Sequence, residues 1–222
     1  MELSKLTLLC QSVSDQKSFY ENILGLQTST PNDKTLIVQC GNSELVFEEL
    51  KGEFTPYHFA FNIPENLHEQ ALEWLSGKVD LFDYKGDRVV HFANWDAHAI
   101  YFTDADGNIL EFIARHTLSN ASEEPFHPRL ITELSEIGAP TDRLPELRKE
   151  LKELTGLSEY SDFSDSFTAV GDAHGLIILV PTDRNWMPTE IPSKPAPFNL
   201  EINSGQQKQT IQFDGHKFAE TN

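Results

Sequence analysis

The chain is short of cysteine, of basic residues and of long apolar runs, and each shortage excludes something. Two cysteines, Cys10 and Cys40, cannot make a disulfide framework. Each falls in a predicted strand, which suits buried thiols in a reducing cytoplasm. The 17 Lys and Arg against 35 Asp and Glu leave a net charge of −18. That balance sets the chain against nucleic acid and anionic membrane as general partners. No apolar run reaches the roughly 18 residues of a membrane-spanning helix. The N-terminal MELSKLTLLCQS has a charge inside a short apolar run and no small-residue cleavage site, so it reads as a first strand rather than a leader. What is present is a core-forming supply: 39% hydrophobic residues, with 15 Phe, in 222 residues. This is enough for one large domain or two small ones.

The most informative stretch is 97–114, AHAIYFTDADGNILEFIA. Alternating apolar residues run into and out of a turn at 103–108, as a β-hairpin requires. Asp104 and Gly107 suit a type I turn closed by a residue at positive φ. Glu111 stands in the middle of the return strand on the face of Ile109 and Ile113. A carboxylate in an apolar hollow is a candidate ligand or base.

Read in order, the chain repeats one pattern: strand, helix, then three strands. The first copy has strands at 3–11, 27–30, 35–40 and 44–49, with a helix ending at Gly25. The second has strands at 57–63 and 79–84, a helix over 65–75, and the hairpin. The polar, acidic stretch 116–129, with Pro125 and Pro128, is the expected linker. A third copy starts at 130, with Leu144, Leu147, Leu151 and Leu154 on one helix face and Gly156 as its stop. The stretch FNLEIN at 198–203 resembles YHFAFN of the second copy, but the helix that should follow is missing. The spacing is regular. Lys5 precedes Gly25 by 20 residues, His58 precedes Gly77 by 19, and Glu136 precedes Gly156 by 20. The expected organisation is a paired domain over 1–115, a linker over 116–129, and over 130–222 a third unit with an incomplete partner.

Paired β-α-β-β-β units with FYENILGL in the first and YFTDADGNILEF in the second resemble the vicinal oxygen chelate superfamily. That group includes glyoxalase I, the fosfomycin- and bleomycin-resistance proteins and the extradiol ring-cleaving dioxygenases. The superfamily turn is usually Asp-Pro-Asp-Gly, and Ala105 replaces the Pro here. The resemblance implies an α+β fold in which repeated units form a cupped mixed sheet with helices outside. It also implies a divalent metal held by the first and last strands of each unit. Carried over, the second unit supplies His58 and Glu111, a set that suits Fe²⁺, Mn²⁺, Ni²⁺ or Zn²⁺. In the first unit Lys5 stands near the usual His position, with Thr7 next on that face. Lys5 pairing with Glu111 in a metal-free cup is the alternative. Tyr101 has the parity to place its hydroxyl near a ligand, so Lys5, Thr7 and Tyr101 are the expected pocket neighbours.

Two function classes follow. One is an enzyme on a small oxygenated molecule, through a metal with Glu111 as ligand or base. The other is a binding protein that sequesters a small molecule without reacting it. Of the other histidines, His98 is expected on the helix side or at a strand end, and His91, His116, His127, His174 and His216 at the surface or in loops. Trp186, in a proline-rich loop, either fills the core or an interface, the favoured reading, or covers a pocket. The uncovered edge of an incomplete fourth unit makes a homodimer the expected assembly.

Overall fold

A computed structural model describes residues 1–161, 164–205 and 207–221. The first unit is β1 (Glu2–Cys10), α1 (Val13–Ser18, continuing into a π-helical turn Phe19–Ile23), β2 (Thr28–Asn32), β3 (Thr35–Cys40) and β4 (Ser43–Glu49). The second is β5 (His58–Ile63), α2 (His68–Leu75), β6 (Val90–Phe92), β7 (Ala97–Thr103) and β8 (Ile109–Arg115). The third is β9 (Glu133–Thr141), α3 (Leu144–Thr155), β10 (Thr168–Asp172) and β11 (Gly175–Pro181). The fourth has strands only: β12 (Phe198–Ser204), β13 (Gln207–Phe213) and β14 (Phe218–Glu220). This is the α+β arrangement expected. None of the helices is long and apolar enough to cross a membrane.

Local chemistry sets the helices. Ser12 caps α1 by accepting from the Asp15 N–H at 3.2 Å. In α3 Leu144, Leu147 and Leu151 are buried, Pro145 sits in the first turn, and Gly156 at φ 70° closes the last. One expected strand differs. Residues 79–84 make only isolated bridges, such as Leu81 to Phe102, and the third strand of unit two is instead Val90–Phe92, paired with β7. Lys85 and Gly86, both at positive φ, turn the chain between the two stretches.

All strands belong to one sheet made of two like halves. In each of the first three units the first strand lies parallel to the last: β1 with β4, β5 with β8, β9 with β11. The pairing of units departs from the sequence reading. Units one and two do not join; β5 lies antiparallel to β9, and β1 to β12. One half is therefore built from units two and three, the other from units one and four, and both cross the stretch 116–129. Among the described residues their strands pair with each other only at Leu3 of β1 and Leu134 of β9. Sequence order suggested neighbours in the chain as neighbours in space. The fourth unit offers the complementary edge to β1 instead.

The two signature segments meet. The hairpin carboxylate Asp104 accepts from Gln16 Nε2 at 3.1 Å and from the Tyr20 hydroxyl at 3.2 Å, both in the first unit. It also accepts from the N–H groups of Asp106 and Asn108, each at 3.0 Å, which closes the turn. Asn108 Oδ1 in turn accepts from Tyr57 N at 2.8 Å, fixing the residue before His58. The phenylalanines of β5, β7 and β8 face the helices and form the main core. The opposite face of units two and three carries a second apolar cluster of Ala60, Tyr101, Ile109, Ile113, Ile178 and Trp186.

Candidate metal centre

The polar groups of this second face converge inside the half built from units two and three. His58 opens β5, and Glu111 lies on β8 at the register of Ala60. Ala60 is also opposite Glu136 of β9. Strand pairing alone thus sets Glu111 and Glu136 on either side of the strand that begins with His58. All three side chains are buried, at 6%, 2% and 4% exposure. One ligand atom from each lies within 4.8 Å of the others.

The tautomer of His58 follows from its partner. Nδ1 lies 3.1 Å from the Ile109 carbonyl, which can only accept, so Nδ1 carries the hydrogen. Burial lowers the ring's pKa to about 4, so it is neutral near pH 7. Its Nε2 then presents a lone pair to Glu111 Oε2 at 3.5 Å. Two acceptors so placed need a proton or a cation between them. Burial first, and then the charge of Glu136, hold Glu111 well above the usual carboxylate range, while Arg115 and a hydrogen bond from Tyr101 act the other way. Burial also raises Glu136, against the pull of Arg115.

Arg115 is fully buried, and its Nη2 donates to Glu136 Oε1 and, at 3.3 Å, to Ser135 Oγ. Its guanidinium also lies 5.2 Å from the Trp95 ring centre. Trp186 reaches over the cluster from the loop after β11, its ring 4.8 Å from that of His58. Gly138 makes this possible, since a Cβ there would stand 2.5 Å from the Trp186 ring. Phe92, Trp95, Phe167 and Met187 complete an apolar wall around a cavity of about 70 Å³, with Arg184 at its lining. That room holds about two waters or a few ligand atoms.

Of the residues named from sequence, His58, Glu111 and Tyr101 come together here. Lys5 and Thr7 do not. Both lie on β1 in the other half, where Lys5 faces Glu201 at 3.9 Å and Thr7 pairs with Asn199. The cation near Glu111 is Arg115, not Lys5. Trp186 covers the pocket. Glu136 and Arg115 were missed. The repeat spacing already set Glu136 level with His58, and Arg115 follows Glu111 by two strand periods on one face.

The donor set fits a divalent ion: a neutral imidazole with its free nitrogen inward and two buried carboxylates. Ile178 of β11, opposite Gly138, takes the place in unit three that Glu111 holds in unit two, so there is no fourth ligand from that position.

No protein-family model matches the chain. A metallothiol transferase, FosB of Staphylococcus haemolyticus, is 27% identical over 116 residues, which cover 49% of this chain and 80% of FosB. A crystal structure of a proposed dioxygenase from Bacillus subtilis matches with a TM-score of 0.65 at 14% identity, over 99% of this chain and 84% of that one. The chain has the glyoxalase/bleomycin-resistance/dioxygenase fold, and the likeness to FosB supports the vicinal oxygen chelate superfamily. The likeness to the Bacillus structure extends the superfamily fold over the whole chain, including the fourth, helix-free unit.

Proposed function

We infer that His58, Glu111 and Glu136 hold one divalent cation, which serves a glyoxalase- or dioxygenase-like reaction on a small oxygenated molecule. The observation that carries this reading is the His58 Nε2 lone pair facing Glu111, with Glu136 as a third donor in reach. The metallothiol transferase likeness supports a metal-using protein. One nitrogen and two carboxylates favour Mn²⁺ or Fe²⁺ within the wider set of Fe, Mn, Ni and Zn. When bound, the ion supplies Lewis acidity to substrate oxygens.

The protein's own groups do the rest. The Ile109 carbonyl keeps His58 in the ligating tautomer. Arg115 and Ser135 position Glu136 from behind. Tyr101 stands opposite Glu111 in the β7–β8 pairing and packs beside it. A carboxyl raised by burial can also take and return a proton, the role of a general base. Trp186, Trp95 and Phe167 exclude water and offer ring faces to a planar substrate. Arg184 offers a cation to an acidic substrate in a chain of net charge −18.

One observation favours the second reading, a metal-free binding protein: Arg115 already neutralises Glu136. Calorimetric titration of Mn²⁺ into tag-free protein separates the two. The metal reading expects one equivalent bound, abolished by His58→Ala and Glu136→Gln and weakened roughly 10- to 100-fold by Arg115→Lys. Equal, weak Mn²⁺ binding in all of these proteins would leave the sequestering reading in its place.

A further inference from the structure

Outside this centre, half of the eight histidines meet at one spot on unit two. His98 lies on the helix side of β7, opposite His91 of β6. Its ring is stacked between two others, His68 at 4.3 Å and 8° and His91 at 4.6 Å and 10°. His68 opens α2, and His116 follows directly after β8. His116 meets the stack edge-on, its Nε2 at 2.9 Å from His98 Nδ1.

We propose that His68, His98 and His116 form a second divalent transition-metal site, built at the seam between α2 and the β6–β7–β8 edge. One ring nitrogen from each lies within 4.8 Å of the others. His68 Nδ1 is buried and meets no partner in hydrogen-bond geometry among the described residues, an orphan that a metal would satisfy. The second nitrogen of His116 faces Glu65 Oε2 at 3.9 Å, the carboxylate–histidine arrangement that orients a ligating ring. Nitrogens around a tetrahedral Zn²⁺ stand about 3.3 Å apart, given bonds of roughly 2.0–2.1 Å. The His98–His116 pair must open by a few tenths of an ångström and the wider spacing close by about 1.5 Å. Ring rotations about χ1 and χ2 cover that range. Three imidazoles without a thiolate select Zn²⁺, Ni²⁺ or Cu²⁺ over Mn²⁺ or Mg²⁺.

The site would tie the start of α2 to two strands that also carry Tyr101, Glu111 and Arg115. Its occupancy would thus stiffen the frame of the inner cavity without touching it. It is independent of whether His58 binds a metal.

The test is Zn²⁺ titrated calorimetrically, alongside thermal melts with and without Zn²⁺, into tag-free wild type, His98→Ala, His116→Gln, Glu65→Gln and His58→Ala. A Zn²⁺ site present in wild type and in His58→Ala is expected to be lost in His98→Ala and His116→Gln. Glu65→Gln should weaken it about 10- to 100-fold. Zn²⁺ should raise the melting midpoint of His58→Ala and not that of a His58→Ala, His116→Gln double variant. His116 is part-exposed on a turn, so its variant decides the matter if His98→Ala fails to fold. Unchanged Zn²⁺ affinity in His116→Gln, or loss of all Zn²⁺ binding in His58→Ala, would overturn the proposal.

Discussion

The half of the sheet from units two and three and the half from units one and four share a register down to its irregularity. In one, Leu134 and Glu136 pair with Phe61 and Ala60, and Ser135 is the bulged residue between them. In the other, Leu3 and Lys5 pair with Ile202 and Glu201, and Ser4 is bulged at the matching place. By this register Glu136 corresponds to Lys5, His58 to Asn199, Ala60 to Glu201, Gly138 to Thr7 and Ile178 to Val46. The pairing of the central strands is the same, and the environments are opposite. His58, Glu111 and Glu136 are buried, whereas Lys5, Thr7, Asn199 and Glu201 are half-buried. Two local differences account for this. Gly138 admits Trp186 where Thr7 would block it, and residues 184–187 of the loop between β11 and β12 line the His58 cavity. Burial then makes the same sheet position a strong electrostatic site in one half and a screened surface in the other.

The largest contrast is expected at the cations. Arg115→Met leaves Glu136 buried without its partner and should cost about 3–5 kcal/mol by denaturant unfolding. Lys5→Met, in the open half, should cost under about 1 kcal/mol, because its pair with Glu201 is solvent-screened. Equal costs would erase the distinction between the halves.

Next comes the cover. Gly138→Ala drives a methyl into Trp186 and should cost about 1–3 kcal/mol while loosening the cavity, visible as a red shift in Trp fluorescence. Thr7→Ala at the matching position should stay within about 0.5 kcal/mol. A neutral Gly138→Ala would mean that Trp186 is not seated by this close approach.

The smallest effect is the pH dependence of the metal-free protein. His58 has a folded pKa near 4, below its unfolded value of about 6.5. Its contribution is therefore full above pH 6.5 and is lost as pH falls toward 4, at up to about 1.4 kcal/mol per unit. Glu111 and Glu136, held high, act in the opposite sense and favour the folded state at lower pH. The stability of wild type relative to His58→Phe should thus shrink between pH 6.5 and 4 in the presence of a chelator. Parallel profiles would contradict a buried neutral His58.

Much of this was legible in the residues. Period-two alternation placed His58 and Glu111 on the face away from the phenylalanines, and the three spacings announced the repeat. The unit pairing was not legible, because antiparallel neighbours are chosen by edge complementarity between distant strands, and 198–203 lacks the helix that would mark a full unit. Arg115 closes the expected paired domain beside a polar linker, so nothing local in the sequence marks its inward parity as a site. Glu136 is not marked by sequence order, because chain neighbours predict a pairing of units one and two that leaves β9 outside the cup. The bulge at Ser135 also breaks simple alternation, so parity counted along β9 misleads. The histidine cluster draws on a helix start, two strands and a turn, and no local spacing foretells it.

The central claim is that one half of a repeated sheet is a metal centre and the other is not. Anomalous diffraction from crystals grown with Mn²⁺ addresses it most directly. The account predicts a single strong peak bounded by His58 Nε2, Glu111 and Glu136, and none beside Lys5 and Asn199. No peak among His58, Glu111 and Glu136 at saturating Mn²⁺, with Arg115 still on Glu136, would contradict it.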